Sequence, residues 1–269
     1  FPGADRQMQY REGVYIGYRY FDSAQRPVLF PFGHGLSYTE FAISQAILSN
    51  DTLTAQGPVK LTVEVQNTGA FDGAEVVQVY RHMKHSALHR PEQELCGFAK
   101  VHLAAGASGS VEIDLAPECF QVFDHGQQRW VLEAGGVELR IGVSSRDIRL
   151  RKMLNVASVD VPSELATQVA RPEFLPADSN PPIAVSDELF GQMLNGPVPQ
   201  GEKVRPFHRN SSVGELGQSW LGAKFRAKMR ERFIGGMGLD KADETTRKMF
   251  TEMADNMPLR AIVLFQRGK

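Results

Sequence analysis

The stretch of sequence that decides the fold reads VYIGYRYFD at residues 14–22 and PFGHGLSYT at residues 31–39. In the first half, alternate residues are apolar, and Tyr15 and Phe21 make the opposite face apolar too, which predicts a strand that is covered on both sides. In the second half, Pro31 lacks a backbone donor and Gly33 permits unusual backbone angles, which argues against a helix or a long strand. We call residues 14–39 the aromatic strap. Its two apolar faces predict that it packs between two domains, of which only one lies in this sequence.

Downstream of the strap, apolar and polar residues alternate in the way that is typical of strands with one solvated face. The pattern is clearest at Val59–Val65, Val111–Leu115 and Val137–Val143, and an earlier strand is predicted at Phe41–Leu48. Glycine-containing turn segments such as Asn67-Thr68-Gly69 separate these runs. About seven strands at this spacing predict an immunoglobulin-like β-sandwich between residues 41 and 150.

The same segments resemble the glycoside hydrolase family 3 enzymes, the β-glucosidase-like hydrolases. The resemblance lies in residues 12–22 and 29–38 and continues through residues 63–69, 73–80 and 90–101. It implies that the strap connects an α/β sandwich domain to a fibronectin type III-like domain. Cys96 departs from the family, which usually carries a Lys at this position.

The resemblance implies a retaining glycosidase with an Asp nucleophile in a TIM barrel and a Glu acid/base in the α/β sandwich, both before the strap. A retaining mechanism needs two carboxyl groups about 5–5.5 Å apart. The chain has no Ser-Asp-Trp nucleophile motif, and Ser186-Asp187-Glu188 is better explained as the start of a helix. We therefore assign no catalytic, cofactor-binding or metal-binding residue, and we predict that this chain alone does not hydrolyse glycosides.

Pattern and resemblance together predict a mainly β fold, an immunoglobulin/fibronectin type III-like β-sandwich with an N-terminal aromatic strap and a C-terminal helical extension. The predicted domains are the end of the α/β sandwich with the strap (1–40), the fibronectin type III-like β-sandwich (41–157), a Pro-rich extended connector with one short helix (158–209) and the helical extension (210–269). The extension resembles one seen in some bacterial family members, which share the patterns at residues 210–216 and 257–260.

Capping signals predict where the helices of the connector and the extension begin and end. They predict a connector helix capped by Ser186 and ending at Asn195, a helix introduced by the capping-box pair Ser212 and Glu215 and ended by Gly235-Gly236, and a second helix capped by Asp240. Residues 258–265 are too short and too apolar a run to distinguish helix from strand.

Composition limits the partners of the chain. A net charge of −1 gives no electrostatic field for nucleic acid or an anionic membrane surface, and no apolar run approaches the length of a membrane span.

The two cysteines, Cys96 and Cys119, are typical of buried thiols, although a bridge between them stays open. Sparse cysteine favours the cytoplasm. The start at Phe1 suggests a piece of a longer protein, whose missing catalytic domains would be its partner and would contact the carbohydrate substrate, and a homo-oligomer is possible.

Several residues have both a structural and a functional interpretation. His82, His85 and His89 have spacings that suit a metal, but a polar loop is favoured because no other ligand type is interleaved. Gly33-His34-Gly35 lacks the further residues of a phosphate-binding loop. Arg19 and Asp22, three residues apart, are predicted to neutralise each other or to satisfy nearby backbone groups. Six strap aromatics are predicted to lie buried in a domain seam, with stacking on sugar rings as the alternative: Tyr15, Tyr18, Tyr20, Phe21, Phe32 and Tyr38.

Two functions compete. In the first, the chain is the C-terminal, non-catalytic portion of a retaining β-glycosidase that hydrolyses terminal β-linked sugars, and it is structural and inactive alone. In the second, it is a stand-alone fibronectin-like interaction module that binds carbohydrate or a protein partner. The coding sequence before Phe1 distinguishes them, because a barrel with its Asp supports the enzyme and a start codon supports the module.

Overall fold

The computed structural model describes residues 3–4, 7–168, 172–175, 179, 183–201, 205–238 and 242–266. The strands are β1 (Gly3–Ala4), β2 (Gln7–Met8), β3 (Phe41–Leu48), β4 (Thr52–Leu53), β5 (Val59–Asn67), β6 (Gly73–His82), β7 (Glu94–Leu103), β8 (Ser108–Leu115), β9 (Gln121–Asp124), β10 (Arg129–Leu132), β11 (Gly135–Gly142), β12 (Ile148–Val156), β13 (Glu173–Phe174) and β14 (Ile183–Ala184). The α-helices are α1 (Tyr18–Ser23), α2 (Glu164–Gln168), α3 (Asp187–Leu194), α4 (Trp220–Gly236), α5 (Glu244–Asn256) and α6 (Leu259–Gln266). Two compact units result, one of residues 10–199 and one of residues 1–9 with 200–269.

Two sheets that share one hydrophobic core form the larger part of residues 10–199. The first has the strand order β4-β12-β11-β6-β7 and the second has the order β3-β5-β8. Neighbouring strands are antiparallel, except that the short β4 runs parallel to β12. The core contains Leu61 and Val63 from the three-stranded sheet together with Val79, Leu139 and Ile141 from the five-stranded sheet. The chain is therefore mainly β, and these two larger sheets are joined by the side chains between them.

Strand β5 shows how the sequence produces this core. Its alternate residues Val59, Leu61, Val63 and Val65 are at most 3% exposed, while the residues between them point away from the core. Each such buried side chain stabilises the fold by about 1.5–3 kcal/mol relative to an exposed one. The predicted strands at Phe41–Leu48, Val59–Val65, Val111–Leu115 and Val137–Val143 are confirmed by β3, β5, β8 and β11, of which β11 ends at Gly142.

The strand predicted for residues 14–22 is wrong, because the strap contains the short helix α1 instead. Gly17 precedes this helix with a φ of 54°, in a backbone region that glycine adopts most readily. Tyr15 and Tyr20 both enter one cluster with Ile183, whereas Ile16 remains 53% exposed. Contacts with residues more than 150 positions away thus override the local alternation.

The connector contains more structure than its composition predicts. The predicted helix is confirmed as α3, where the Ser186 side chain accepts a hydrogen bond from the Leu189 amide and Asn195 ends the helix in a left-handed conformation. Helix α2 and the antiparallel pair of β13 with β14 were not predicted. Neither has a strong periodic signal in the sequence, because each is only two to five residues long.

Helices α4, α5 and α6 belong to the unit of residues 1–9 with 200–269. The predicted capping box is confirmed, since the Ser212 amide donates to Glu215 Oε2 at 2.8 Å and the Glu215 amide donates to Ser212 Oγ at 3.2 Å. The box introduces a 3₁₀ turn, and Ser219 caps α4 itself. Asp240 lies outside the described residues, and the cap of α5 is Asp243. Residues 259–266 are helical, and within the described residues no helix combines the length and the apolar character needed to cross a bilayer.

Asp255 joins α4 to α5 through two guanidinium groups. Arg226 Nε lies 3.1 Å and Arg230 Nε 2.7 Å from Asp255 Oδ1, and both arginines also contact Oδ2. Partial burial pushes the pKa of Asp255 upward, but the hydrogen bonds from Arg230 and Arg226 outweigh it and bring the pKa down to about 2. The carboxylate therefore stabilises the folded unit at neutral pH.

Acid is expected to weaken the packing of α4 on α5. Because the folded-state pKa of Asp255 is depressed, its contribution of about 2 kcal/mol is present above the unfolded pKa and is lost as the pH falls toward 2. Unfolding of the full chain, followed by Trp220 fluorescence in a Trp130→Phe background, measures this loss. Asp255→Asn is expected to flatten the pH dependence between about pH 4 and pH 2. Glu252→Gln, an exposed carboxyl on the same helix, is the matched control, and an equal flattening in that variant would contradict the assignment.

Candidate functional site: an apolar docking surface on the strap

The inner side of the strap is anchored by tyrosines that pack against the connector. The Tyr15 ring lies 5.1 Å from the ring of Phe174, and the Tyr20 ring lies 5.8 Å from the same phenylalanine, both in edge-on geometry. Tyr15 is 3% exposed and Tyr20 is 8% exposed. Such edge-on aromatic pairs stabilise a structure beyond the area that they bury, so α1 is held from one side by β13 and β14.

Ion pairs fix the strap to the sheets. Arg19 Nη2 lies 3.3 Å from Glu94 Oε1 on β7, and Arg146, in the turn between β11 and β12, donates from Nε to Asp22 Oδ1 at 2.8 Å. Arg81 contacts the second oxygen of Glu94. The predicted pairing of Arg19 with Asp22 is therefore wrong. Arg19 instead pairs with Glu94 on β7, and Asp22 pairs with Arg146 in the turn between β11 and β12.

Gln78 holds the second half of the strap. Its Nε2 donates to Gly33 O at 3.0 Å and to Val143 O at 2.7 Å, while its Oε1 accepts from the Tyr80 hydroxyl at 2.5 Å. Gly33 has a φ of 80°, and a Cβ atom there would lie 1.9 Å from Gln78 Oε1. Burial raises the pKa of Tyr80, so its hydroxyl keeps the proton that it donates. The glycine is thus required both by its backbone angle and by the approach of the amide.

The backbone and rings around Phe32 complete this attachment. The Ser145 amide donates to Phe32 O at 2.8 Å, and the Phe32 ring stacks on Tyr18 with centroids 4.4 Å apart. The Tyr18 hydroxyl in turn accepts a hydrogen bond from the Leu95 amide at 2.8 Å. Residues 31–35 are therefore attached to β6 and to the turn between β11 and β12 rather than extending freely into solvent.

The outer side of the strap exposes large apolar side chains. Leu29, Leu36 and Tyr38 are 94%, 92% and 96% exposed, and Phe30 and Phe32 are 71% and 45% exposed. We call these five side chains the docking surface. Soluble monomers rarely expose many large apolar side chains in one short segment, and five of them within residues 29–38 indicate an interaction site. Because hydrogen bonds and ion pairs already fix the strap from beneath, this surface is presented in a defined position.

A buried ion pair supports the loop that follows β6. Glu133 accepts hydrogen bonds from Ser86 Oγ at 2.6 Å, from the Ala87 amide at 2.7 Å and from Arg90 Nε at 3.2 Å. Arg90 also donates to Phe120 O at 3.1 Å, and its own carbonyl accepts from the Tyr15 hydroxyl. Burial lowers the pKa of Arg90 to about 10, which leaves it charged at neutral pH. The pair therefore links the loop to both a hairpin and the strap.

The residues that were considered for metal, phosphate or sugar binding lie in different parts of the fold. His82 ends β6, where Nδ1 lies 2.6 Å from Glu92 O, whereas the His89 ring packs edge-on against Tyr15 at 5.1 Å. Within the described ranges, no three His, Cys, Asp or Glu side chains are grouped to hold a metal. His34 stacks on Phe30, so the Gly33-His34-Gly35 segment belongs to the strap. Of the six candidate aromatics, Tyr15 and Tyr20 are buried, Tyr18 and Phe32 stack on each other, and Phe21 and Tyr38 are exposed.

The two cysteines are free thiols, and the bridge left open by the sequence does not form. Cys96 lies buried in β7 and its Sγ contacts Val79 O at 3.3 Å. Burial raises the pKa of the Cys96 thiol to about 12. A thiol that stays protonated at neutral pH is a poor nucleophile, so Cys96 acts as a small core residue.

Sequence reasoning missed the residues that attach the strap, namely Gln78, Tyr80 and Arg146. One signal for Gln78 exists, because it is a polar residue inside the apolar run at residues 76–80. A buried amide needs hydrogen-bond partners, which indicates contact with irregular backbone nearby. Nothing comparable marks Arg146, whose partner Asp22 lies 124 positions away.

Known proteins resemble this chain over slightly more than half of its length. Residues 75–145 match the fibronectin type III-like domain family. The thermostable β-glucosidase B of Acetivibrio thermocellus is 39% identical over 158 residues, which is 59% of this chain and 21% of that protein. The structure of DesR, a β-glucosidase from Streptomyces venezuelae, has a TM-score of 0.55 at 39% identity and covers 58% of this chain and 20% of its own. The GH3 β-glucosidase of Bifidobacterium adolescentis has a TM-score of 0.55 at 35% identity, with 64% and 26% covered. The chain thus spans between a fifth and about a quarter of the length of these relatives.

Proposed function

We propose that this chain, a homologue of the family 3 β-glucosidases over more than half of its length, is the C-terminal, non-catalytic part of a retaining β-glycosidase. The parent enzyme would hydrolyse terminal β-linked sugars with a nucleophile and an acid/base supplied by preceding domains. In this scheme residues 1–40 end an α/β sandwich and carry the strap, residues 41–157 form a fibronectin type III-like β-sandwich, residues 158–209 connect, and residues 210–269 form the helical extension.

The docking surface is the observation that carries the proposal. The strap is fixed from beneath by Gln78, Glu94 and Arg146, yet it leaves Leu36 and Tyr38 more than 90% exposed. A surface that is both apolar and rigidly presented suits a permanent partner, because little ordering entropy opposes association. The matched part of the relatives' length leaves ample chain for such a partner. We therefore assign the catalytic domains of the parent enzyme to this surface.

The role of the chain in catalysis would be positional. A retaining glycosidase requires its two carboxyl groups about 5–5.5 Å apart, and small displacements of such groups are costly. In the described part of the strap region, Asp22 and Glu94 are each paired with arginine, which suits them to structural attachment. The chain would thus hold the α/β domain in the orientation that catalysis needs.

Expressing the preceding domains as a separate polypeptide and adding this chain tests the proposal. We expect hydrolysis of an aryl β-glucoside by the mixture and none by this chain alone. Leu36→Asp is expected to raise the chain concentration that gives half-maximal activity about tenfold or more, because the new carboxylate would be desolvated at the interface.

Leu221→Asp is the matched control, since Leu221 is 70% exposed on α4 and lies outside the docking surface. Its half-maximal concentration should equal that of the unmodified chain. Hydrolysis by this chain alone, abolished by a point change within it, would overturn the proposal. A start codon directly before Phe1 would also overturn it and would favour the stand-alone interaction module.

A further inference from the structure

A concave site lies on the unit of residues 10–199, beside the hairpin of β9 and β10. It has a volume of about 440 Å³ and is lined by residues of the strap, of β6 and β7, and of the hairpin. Small-molecule sites occupy about 300–1,000 Å³ and combine apolar walls with a few polar groups. The dimensions of this hairpin pocket therefore match a small ligand of one to a few rings.

An aromatic wall forms one side of the hairpin pocket. Trp130 and Phe123 are direct cross-strand partners, and their rings meet edge-on with centroids 5.7 Å apart. The His125 ring lies 5.2 Å from Phe123. Trp130 remains 60% exposed although its strand neighbour Val131 is fully buried. The hairpin thus places its largest apolar side chain in the lining of the pocket and outside the core, and an exposed indole there offers a flat apolar surface to a ligand.

Polar groups of balanced charge line the rest of the pocket. Glu94 lies between Arg19 and Arg81, which gives a row of guanidinium, carboxylate and guanidinium groups. Glu118, which is exposed at the same pocket, brings the formal charge of these four groups to zero, and the charge of the remaining lining arginine, Arg90, is neutralised by its buried partner Glu133. Arginine only donates hydrogen bonds and a carboxylate only accepts them, whereas a hydroxyl group does both. Alternating donors and acceptors without net charge therefore favour a neutral polyhydroxyl ligand over a phosphate or a carboxylate.

We propose that the hairpin pocket binds a neutral pyranoside, with the apolar face of a sugar ring on Trp130 and its hydroxyl groups on the Arg19–Glu94–Arg81 row. The aromatic wall supplies the contact for the ring face, and the balanced row supplies the hydrogen bonds. The inference goes beyond the proposed function and stands on the lining of the pocket, so it holds whether or not the docking surface binds catalytic domains.

The two tryptophans of the chain, Trp130 and Trp220, allow a direct test. In the full chain carrying Trp220→Phe, all indole fluorescence comes from Trp130, and the pocket is unaltered. Titration with cellobiose is expected to change this fluorescence to saturation, with a dissociation constant on the order of 1 mM. The chain carrying Trp130→Phe reports Trp220 instead and should show no saturable change.

Sorbitol is the matched ligand control, because it carries hydroxyl groups but has no ring face to place on an indole. It should leave the Trp130 fluorescence without a saturable change. Calorimetry should show that Trp130→Ala binds cellobiose about tenfold more weakly than the unmodified chain, or too weakly to measure. The melting temperature of this variant should be unchanged.

Failure of Trp130 fluorescence to saturate with cellobiose would overturn the proposal, as would an equal response to sorbitol. Wild-type affinity in a folded Trp130→Ala chain would overturn it too. Should Trp130→Ala not fold, the titration of the Trp220→Phe chain alone decides. These measurements use the chain without catalytic domains, so their outcome is independent of the activity test of the docking surface.

Discussion

Glu133→Ala is expected to lower the free energy of unfolding of residues 10–199 by about 3–5 kcal/mol, because it leaves Arg90 as a buried charge without its carboxylate. The Arg90 and Glu133 side chains are only 6% and 8% exposed. The change also removes the acceptor of the Ser86 hydroxyl and the Ala87 amide. Urea unfolding followed by circular dichroism of the β-sheet signal measures the loss as a shift in the midpoint.

An exposed ion pair in the three-stranded sheet provides the control. Lys60 Nζ lies 2.8 Å from Glu112 Oε2, but the two side chains are 47% and 59% exposed. Glu112→Ala should therefore cost no more than about 1 kcal/mol. Replacing both buried partners, as Arg90→Met with Glu133→Leu, should recover much of the loss, because no isolated charge remains. A Glu133→Ala midpoint equal to that of Glu112→Ala would contradict the buried-pair assignment.

The sheets could be predicted from the sequence because their signal is local. Val59, Leu61, Val63 and Val65 alternate with polar residues, and a strand with one buried face needs no further information to be recognised. The same holds for the helix capped by Ser186 and for the capping box at Ser212, where the hydrogen bonds span only three residues. Elements fixed by neighbouring residues are the ones that a single sequence specifies.

The strap shows why the rest could not be predicted. Its aromatic alternation at residues 14–22 satisfies the pattern of a strand, but the observed helix depends on Phe174 and Ile183, which contact it from the connector. The spacing of Arg19 and Asp22 would allow them to pair with each other. In the fold, Arg19 pairs with Glu94 and Asp22 pairs with Arg146 instead. Long-range partners decide such choices, and their positions follow only from the completed fold.

That part of the strap would be exposed could be predicted from the sequence, but which residues would be exposed could not. A segment with apolar residues in excess of what one body can cover predicts an uncovered surface. Which residues remain uncovered depends on the helix, since it buries Tyr20 and leaves Ile16 and Phe21 outside. The docking surface at residues 29–38 lies beyond this helix, where Gln78 and Ser145 hold the backbone.

Gly33→Ala is expected to detach the second half of the strap and to destabilise residues 10–199 by about 3 kcal/mol. Two costs combine at this position. A φ of 80° is unfavourable for alanine by about 1–2 kcal/mol, and the added Cβ would lie 1.9 Å from Gln78 Oε1. Gln78 cannot move aside freely, because leaving its place breaks bonds to Gly33, Val143 and Tyr80 inside a buried site. Hydrogen exchange at the Ser145 amide and urea unfolding measure the two consequences.

Two other glycines separate these costs. Gly106 has a φ of 74°, and a Cβ atom added there would meet no other atom within 4 Å, so Gly106→Ala isolates the backbone strain and should cost about 1–2 kcal/mol. Gly35 has open space and no positive φ, so Gly35→Ala should be close to neutral. If Gly33→Ala cost no more than Gly106→Ala and left the Ser145 amide protected, Gln78 would not be what fixes the strap. The expected order, Gly33 above Gly106 above Gly35, follows because only Gly33 combines the strained angle with a buried amide that has three bonds to lose.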